Sequence, residues 1–158
     1  MGIEAVQPLS AQVLDQAAAL CRRFEGFRAA PYVCPAGVWT VGYGSTRHGD
    51  GRAVAPGDAR VTVEQAEALL QLDLSRFLVQ LLAASPSLAA APVGAQAALL
   101  DFIYNLGAGR YRASTLRRRA EARDWAGAAQ ELMKWTRGGG RELPGLVARR
   151  RAEVALIS

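Results

Sequence analysis

Glu25 closes an apolar run of helical periodicity and is followed at once by Gly26. Eight residues separate it from Cys34, five more separate Cys34 from Thr40, and Gly42-Tyr43-Gly44 ends the stretch. A carboxyl group at a helix end beside a cleft loses part of its hydration. That favours its protonated form and suits it to hand a proton to a leaving group. Taken singly, these residues also have plainer readings. Glu25 reads as a solvated helix-end carboxylate paired with Arg22, Arg23 or Arg28, and Cys34 as a small buried hydrophobe.

Other chemistries are poorly supplied. Two cysteines, Cys21 and Cys34, and one histidine, His48, assemble no four-ligand set, so neither a metal site nor a cofactor is expected. Ser-His-Asp chemistry would rest on His48 alone, which lies in a Gly- and Arg-rich loop and reads as solvated. Gly42-Tyr43-Gly44 is not a nucleotide loop, because no strand-to-helix glycine pattern or Gly-Lys-Ser/Thr follows it.

The elements that must position these groups follow from periodicity and punctuation. Val13, Leu14, Ala17, Ala18, Leu20, Cys21 and Phe24 mark a helix over 10–24, with Ser10 as N-cap and Gly26 as stop. Over 32–61, strand formers cut by Pro and Gly clusters predict a small antiparallel sheet or hairpin. Thr62 and Gln65 form a capping box that opens a helix out to Leu82, about 20 residues and about 30 Å long. Further helices are expected over 95–106, over 114–123 capped by Ser114, over 124–135 capped by Asp124, and over 146–156, with a glycine loop at 138–145.

The 158 residues suit one domain over 1–158. Its N-terminal helix and β-lobe would occupy about 10–61, its connecting helix about 63–82 and its helical lobe about 95–158. A net charge of +5, carried by arginine with Lys134 as the only lysine, implies a polyanionic partner: nucleic acid, a membrane face or bacterial cell wall. The longest apolar run near the N-terminus is Ala17-Ala18-Ala19-Leu20-Cys21, too short for a signal peptide or a span, so the chain is expected to be soluble where it is made.

The spacing Glu25-x8-Cys34-x5-Thr40 resembles the active-site motif of phage-type lysozymes, glycoside hydrolase family 24, in its Cys form. Asp101-Phe102-Ile103-Tyr104-Asn105-Leu106-Gly107-Ala108-Gly109 with Ser114-Thr115-Leu116 resembles a second block of that family. Trp135 with the glycine loop and the run from Gly145 to Glu153 resembles a third. The resemblance covers roughly residues 10–156, in order. It implies an α+β lysozyme-like fold: a small lobe with a short antiparallel sheet, a long connecting helix and a larger all-helical lobe. It also implies an endolysin that hydrolyses the β-1,4 bond between N-acetylmuramic acid and N-acetylglucosamine in peptidoglycan, leading to host lysis.

Carried over residue by residue, Glu25 would be the general acid, while Cys34 and Thr40 would act on the nucleophile side. Thr40 would hold a water that Cys34 orients, with inversion, unless Cys34 takes part as a thiolate. Tyr104 and Asn105 become sugar contacts, beside their plainer role in packing the helix end before Gly107. Arg149 or Arg150 would reach back to Glu25, although Arg149-Arg150-Arg151 read alone is a solvated basic helix face. Ser45 stands where some members carry a histidine, so an ion pair made by such a histidine is expected to be absent. The missing membrane-embedded helix implies the holin-dependent kind: a monomer held in the host cytoplasm until release, acting on periplasmic peptidoglycan, with no nucleic acid and no stable membrane insertion. A Cys21–Cys34 disulfide as an off switch is conceivable, against Cys21 as core.

Two alternatives stay open from the sequence. A lytic transglycosylase would use the same single Glu and leave 1,6-anhydro ends. A non-enzymatic basic protein would bind nucleic acid or cell wall through Arg117-Arg118-Arg119 and Arg149-Arg150-Arg151, although no recognised DNA- or RNA-binding motif accompanies them.

Overall fold

The computed structural model describes residues 8–158. Helix α1 spans Leu9–Glu25 and buries the expected stripe, Val13, Ala17, Ala18, Leu20 and Cys21. It starts one residue before Ser10, which corrects the expected cap. Pro8 occupies the cap position with no side-chain hydrogen bond, and its restricted φ leads directly into the first turn. Gly26 stops the helix as expected, at φ 70°, with its N–H returning to the carbonyl of Arg22.

Strands β1 (Arg28–Val33) and β2 (Trp39–Gly42) form an antiparallel hairpin that begins earlier than residue 32. Its register shifts between Arg28 and Tyr32, where Pro31 has no N–H to give to a ladder. Isolated bridges Val41–Ser45 and Arg47–Ala53 continue the small lobe. That lobe has a core of its own, in which Val41, Val54 and Leu69 pack with Trp39 and Val61.

Helix α2 spans Val63–Ala84 and opens on the expected capping box: Gln65 N–H donates to Thr62 Oγ1 at 3.1 Å, and Thr62 N–H donates to Gln65 Oε1 at 2.9 Å. Leu69 faces the small core while Ala66, Leu70 and Leu74 face the large one, so a single helix ties the two together. A 3-10 turn at Pro86–Ala90 leads to α3 (Val93–Leu106), whose residues from Ala95 to Ile103 are all buried. Helix α3 is the post around which α1, α2, α4 and α7 pack. Although α1 precedes the sheet in sequence, it packs on α3, α2 and α7.

Helices α4 (Ala108–Arg112), α5 (Thr115–Glu121) and α6 (Trp125–Leu132) follow, and the caps Ser114 and Asp124 are as expected. Helix α6 stops before Trp135. The glycine loop carries a two-residue ladder, β3 (Arg137–Gly138) with β4 (Arg141–Glu142). Gly139 and Gly140 close it with φ of 58° and 79°, the positive pair that a tight hairpin turn requires. Helix α7 (Pro144–Ile157) starts on a proline and packs on α3, α1 and α6. No helix of the described residues is long and apolar enough to cross a membrane.

Candidate active site

Glu25 is the last residue of α1, and its carboxyl group is held from across the molecule. Arg149 of α7 donates from Nη1 to Glu25 Oε1 at 2.6 Å. The same guanidinium grips Asp101 of α3 with two further hydrogen bonds, Nε to Oδ2 at 2.9 Å and Nη2 to Oδ1 at 2.7 Å. Burial opposes ionisation of Asp101, but the hydrogen bonds and charge of Arg149 prevail and hold its carboxyl below the usual range. Cys21 donates its S–H to Asp101 Oδ1 at 3.3 Å; burial, then the Asp101 charge, push that thiol far above its ordinary value. Cys21 is therefore a core residue. Both cysteines are free, so the disulfide considered above is not formed.

Arg150 does not reach Glu25. Fully buried, it donates from Nη2 to Asn105 Oδ1 at 2.9 Å and to Glu153 Oε1 at 2.7 Å. The solvated-face reading of the arginine run is thus corrected: Arg149 and Arg150 are buried, and only Arg151 faces solvent. The physical reason is α7 packing over α3 and α1, which brings Glu25, Asp101 and Asn105 within reach. Burial, then proximity to Asp101, raises the Glu153 carboxyl well above its ordinary value.

The opposite wall comes from the hairpin. Cys34 sits half-buried in the turn after β1, and the backbone N–H of Val38 lowers its thiol below the ordinary value, against slight burial and with help from the N–H of Ala36. Thr40 of β2 is buried and donates its hydroxyl proton to the Val38 carbonyl at 2.9 Å. At the end of α3, Tyr104 donates its hydroxyl to the Tyr43 carbonyl at 2.7 Å and packs edge-on against Phe77. Burial raises that phenol, which therefore stays protonated. Gly44 closes the floor at φ 97°; a Cβ there would meet Tyr104 Oη at 3.3 Å and Glu25 Oε2 at 3.5 Å.

Glu25, Cys34, Thr40, Tyr104 and Asn105 line one cavity of about 350 Å³, together with Tyr32, Gly44 and Thr46. The structure thus brings all five sequence-identified positions together. Beyond Gly44, Thr46 and Tyr104 the groove continues for about 330 Å³ past Asp73, Arg76, Phe77 and Gln80, an extended shape suited to a chain-like ligand.

Ser45, at the place where a histidine ion pair was expected to be absent, makes a hydroxyl contact instead. Its Oγ donates to Asp73 Oδ2 at 2.7 Å, and burial raises the Asp73 carboxyl. His48 is not solvated as expected: its Nε2 lies 2.7 Å from Asp58 Oδ2. That carboxylate also accepts from Ala55 N–H and Arg52, and it is held down to about 2, chiefly by the Ala55 hydrogen bond and then by His48. The pair lines a separate cavity of about 440 Å³ that contains none of the five positions.

Sequence reasoning assigned no role to Asp101 or Asp73 and read Gly44 as a turn residue. Asp101 carried a signal, being a lone carboxylate in Leu99-Leu100-Asp101-Phe102-Ile103, where an apolar face would otherwise be continuous. Gly44 was legible only as part of the Gly42-Tyr43-Gly44 turn, and Asp73 carried no signal, since its partner Ser45 lies far away in sequence.

Comparison with known proteins agrees with this geometry. The chain matches the phage lysozyme family over residues 22–153. It is 34% identical over 149 residues to an endolysin of Acyrthosiphon pisum secondary endosymbiont phage 1, covering 92% of this chain and 97% of that protein. The endolysin from Escherichia coli O157:H7 phage FAHEc1 superposes with a TM-score of 0.76 at 30% identity, covering 97% of this chain and 94% of the other. The muramidase domain of SpmX from Asticaccaulis excentricus superposes with a TM-score of 0.74 at 29% identity, covering 96% and 98%.

Proposed function

The chain belongs to the phage lysozyme family, and from that premise we propose that Glu25, Cys34 and Thr40 are the catalytic residues with which this endolysin cuts peptidoglycan. It is a muramidase-type hydrolase of the β-1,4 bond between N-acetylmuramic acid and N-acetylglucosamine. The observation that carries the residue assignment is the one-sided grip on Glu25. Arg149 engages Oε1 alone, Oε2 lies beside Gly44, and Glu25 lines the cavity.

A proton on Oε2 then meets the glycosidic oxygen directly. As the C–O bond breaks, its electrons go to that oxygen, which takes the proton, and Arg149 stabilises the carboxylate left behind. Because Asp101 already balances Arg149, the guanidinium orients Glu25 without imposing an uncompensated positive charge on it. On the other wall, Thr40 has committed its proton to Val38, so its free lone pairs accept from a water. Cys34 gives that water a second contact and a sulfur able to take its proton. Attack on the anomeric carbon opposite the leaving oxygen inverts the configuration.

Mass spectrometry of the fragments released from purified peptidoglycan by wild type and Glu25→Gln tests this. Reducing muramic acid ends from wild type only are expected, whereas 1,6-anhydro ends would move the assignment to a transglycosylase. The enzyme acts as a monomer, held in the host cytoplasm until a holin admits it to periplasmic peptidoglycan. Burial of Arg149 and Arg150 takes both out of reach of a phosphate.

A further inference from the structure

Outside the catalytic cleft, the cavity of about 440 Å³ on the small lobe gathers hydrogen-bond donors over an apolar floor. The one carboxylate among its lining residues is spent within its own loop. Asp58 accepts from Ala55 N–H at 2.7 Å and from Arg52 Nη1 at 2.9 Å, and it lies 2.7 Å from His48 Nε2. Arg60 lines the same cavity and has no acidic partner among the described residues. Gln65 offers a further donor. Its Oε1 accepts from Thr62 N–H at 2.9 Å in the capping box, which fixes the amide and leaves Nε2 free to donate. Val61, Ala68 and Leu69 add apolar surface beside these donors. Such a lining complements an anion that carries a small apolar group.

We propose that this cavity is a subsite for the terminal carboxylate of a peptidoglycan stem peptide, with Arg60 as the cation that pairs with it. Its position suits that occupant. The groove that continues from the catalytic cavity is lined by Arg47 and Asp73; this cavity is lined by the next loop residue, His48, and by Leu69, one turn back along α2. That turn is about 6 Å long. An extended stem of about four residues spans about 13 Å, so a stem attached to a sugar in the groove is long enough to cross. The chemistry suits it as well. Stems end in D-alanine, which sets a methyl group beside the carboxylate, and the apolar floor can cover that methyl group. A bare phosphate would leave the floor facing water. Because the stem is tied to the glycan, even a weak contact here adds to the hold of the cleft. The inference rests on the muramidase reading and adds to it the part of the wall that lies off the glycan chain.

The test titrates the enzyme with N-acetyl-D-alanyl-D-alanine and with its C-terminal amide, followed by backbone amide shifts in NMR. The acid is expected to bind with a Kd on the order of 1 mM and to move the signals of Arg60, Val61 and Ala68. The amide form should bind about fivefold more weakly. Arg60→Met should lose the preference for the acid, and it should fold, since Arg60 holds no other side chain among the described residues. Arg110→Met, an equal change of charge on α4, should keep the preference. In rates, Arg60→Met should lower the ratio of kcat/KM on intact wall to that on peptide-free glycan by about fivefold, through KM. Equal binding of acid and amide, or shifts confined to the catalytic cleft, overturns the subsite. Inorganic phosphate that displaces the acid at equal concentration overturns the peptide assignment and leaves a general anion site. A wild type that binds the acid but releases no ends from native wall would sink the muramidase reading and keep the carboxylate subsite.

Discussion

Two thiols in one small chain sit at opposite ends of reactivity, and the difference is made by single neighbours. Cys21 is fully buried and hydrogen-bonded to Asp101, both of which work against a thiolate. Cys34 lies on the cleft, where the Val38 N–H favours one. Iodoacetamide at neutral pH should therefore modify Cys34 and spare Cys21 in the folded enzyme, as read by peptide mapping. Lytic activity should fall at the same rate as the modification proceeds. Complete modification of Cys34 with full activity retained would remove it from the catalytic machinery. Cys34→Val should cost about a hundredfold in kcat while leaving the fold intact, because the side chain is only half-buried. Glu25, Cys34 and Thr40 were legible because all three lie on one short stretch of chain, where spacing alone carries the geometry. The Arg149–Asp101 contact was not legible, because 48 residues separate the partners and only packing of α7 on α3 joins them.

Among the elements, α7 owes its seat to that contact. Arg149 is 4% exposed and Asp101 not at all, so Arg149→Ala strands a buried carboxylate and should destabilise the protein by about 3–5 kcal/mol in denaturant titration. Pairing Arg149→Met with Asp101→Asn should recover part of the loss, since the stranded charge is then gone. A double variant no more stable than Arg149→Met alone would mean that packing, not charge, sets the cost. The small lobe carries its own electrostatic fastening at Asp58. Its folded value of about 2 lies below the ordinary carboxylate value of 3.8, so its stabilising effect is complete above about pH 4 and disappears as pH falls through about 2. Asp58→Asn should lower stability at neutral pH and flatten its pH dependence between about 4 and about 2, followed by circular dichroism. Unchanged acid sensitivity would place the acid-labile group elsewhere. The long helices were legible from periodicity, whereas the 3-10 turn at Pro86–Ala90 and the two-residue strands β3 and β4 are too short for any period to show. His48 was misread for a related reason: a loop has no period, so nothing announces that Asp58 folds back onto the ring.

At the scale of the whole molecule, the net charge of +5 was legible from composition, but its location was not. Arg149 and Arg150 count toward it and yet are buried, paired with Asp101 and Glu153 inside the fold. On the outside the excess is concentrated over 108–124, where six arginines stand against only Glu121 and Asp124. Arg110, Arg112 and Arg118 are exposed there on α4 and α5, and no acidic partner engages them among the described residues. This basic segment follows Asn105 in the chain. Peptidoglycan carries carboxylates on its peptide stems, and a positively charged surface draws such a polymer in by long-range attraction. That attraction is screened within about 10 Å at 0.1 M salt. Activity on intact wall should therefore fall as ionic strength rises, and Arg112→Glu with Arg118→Glu should flatten that dependence without moving the thermal midpoint. Cleavage of peptide-free glycan oligomers, which lack the stem carboxylates, should change little in either comparison. A salt dependence identical in wild type and the charge-reversed variant would place the attraction on some other face of the molecule.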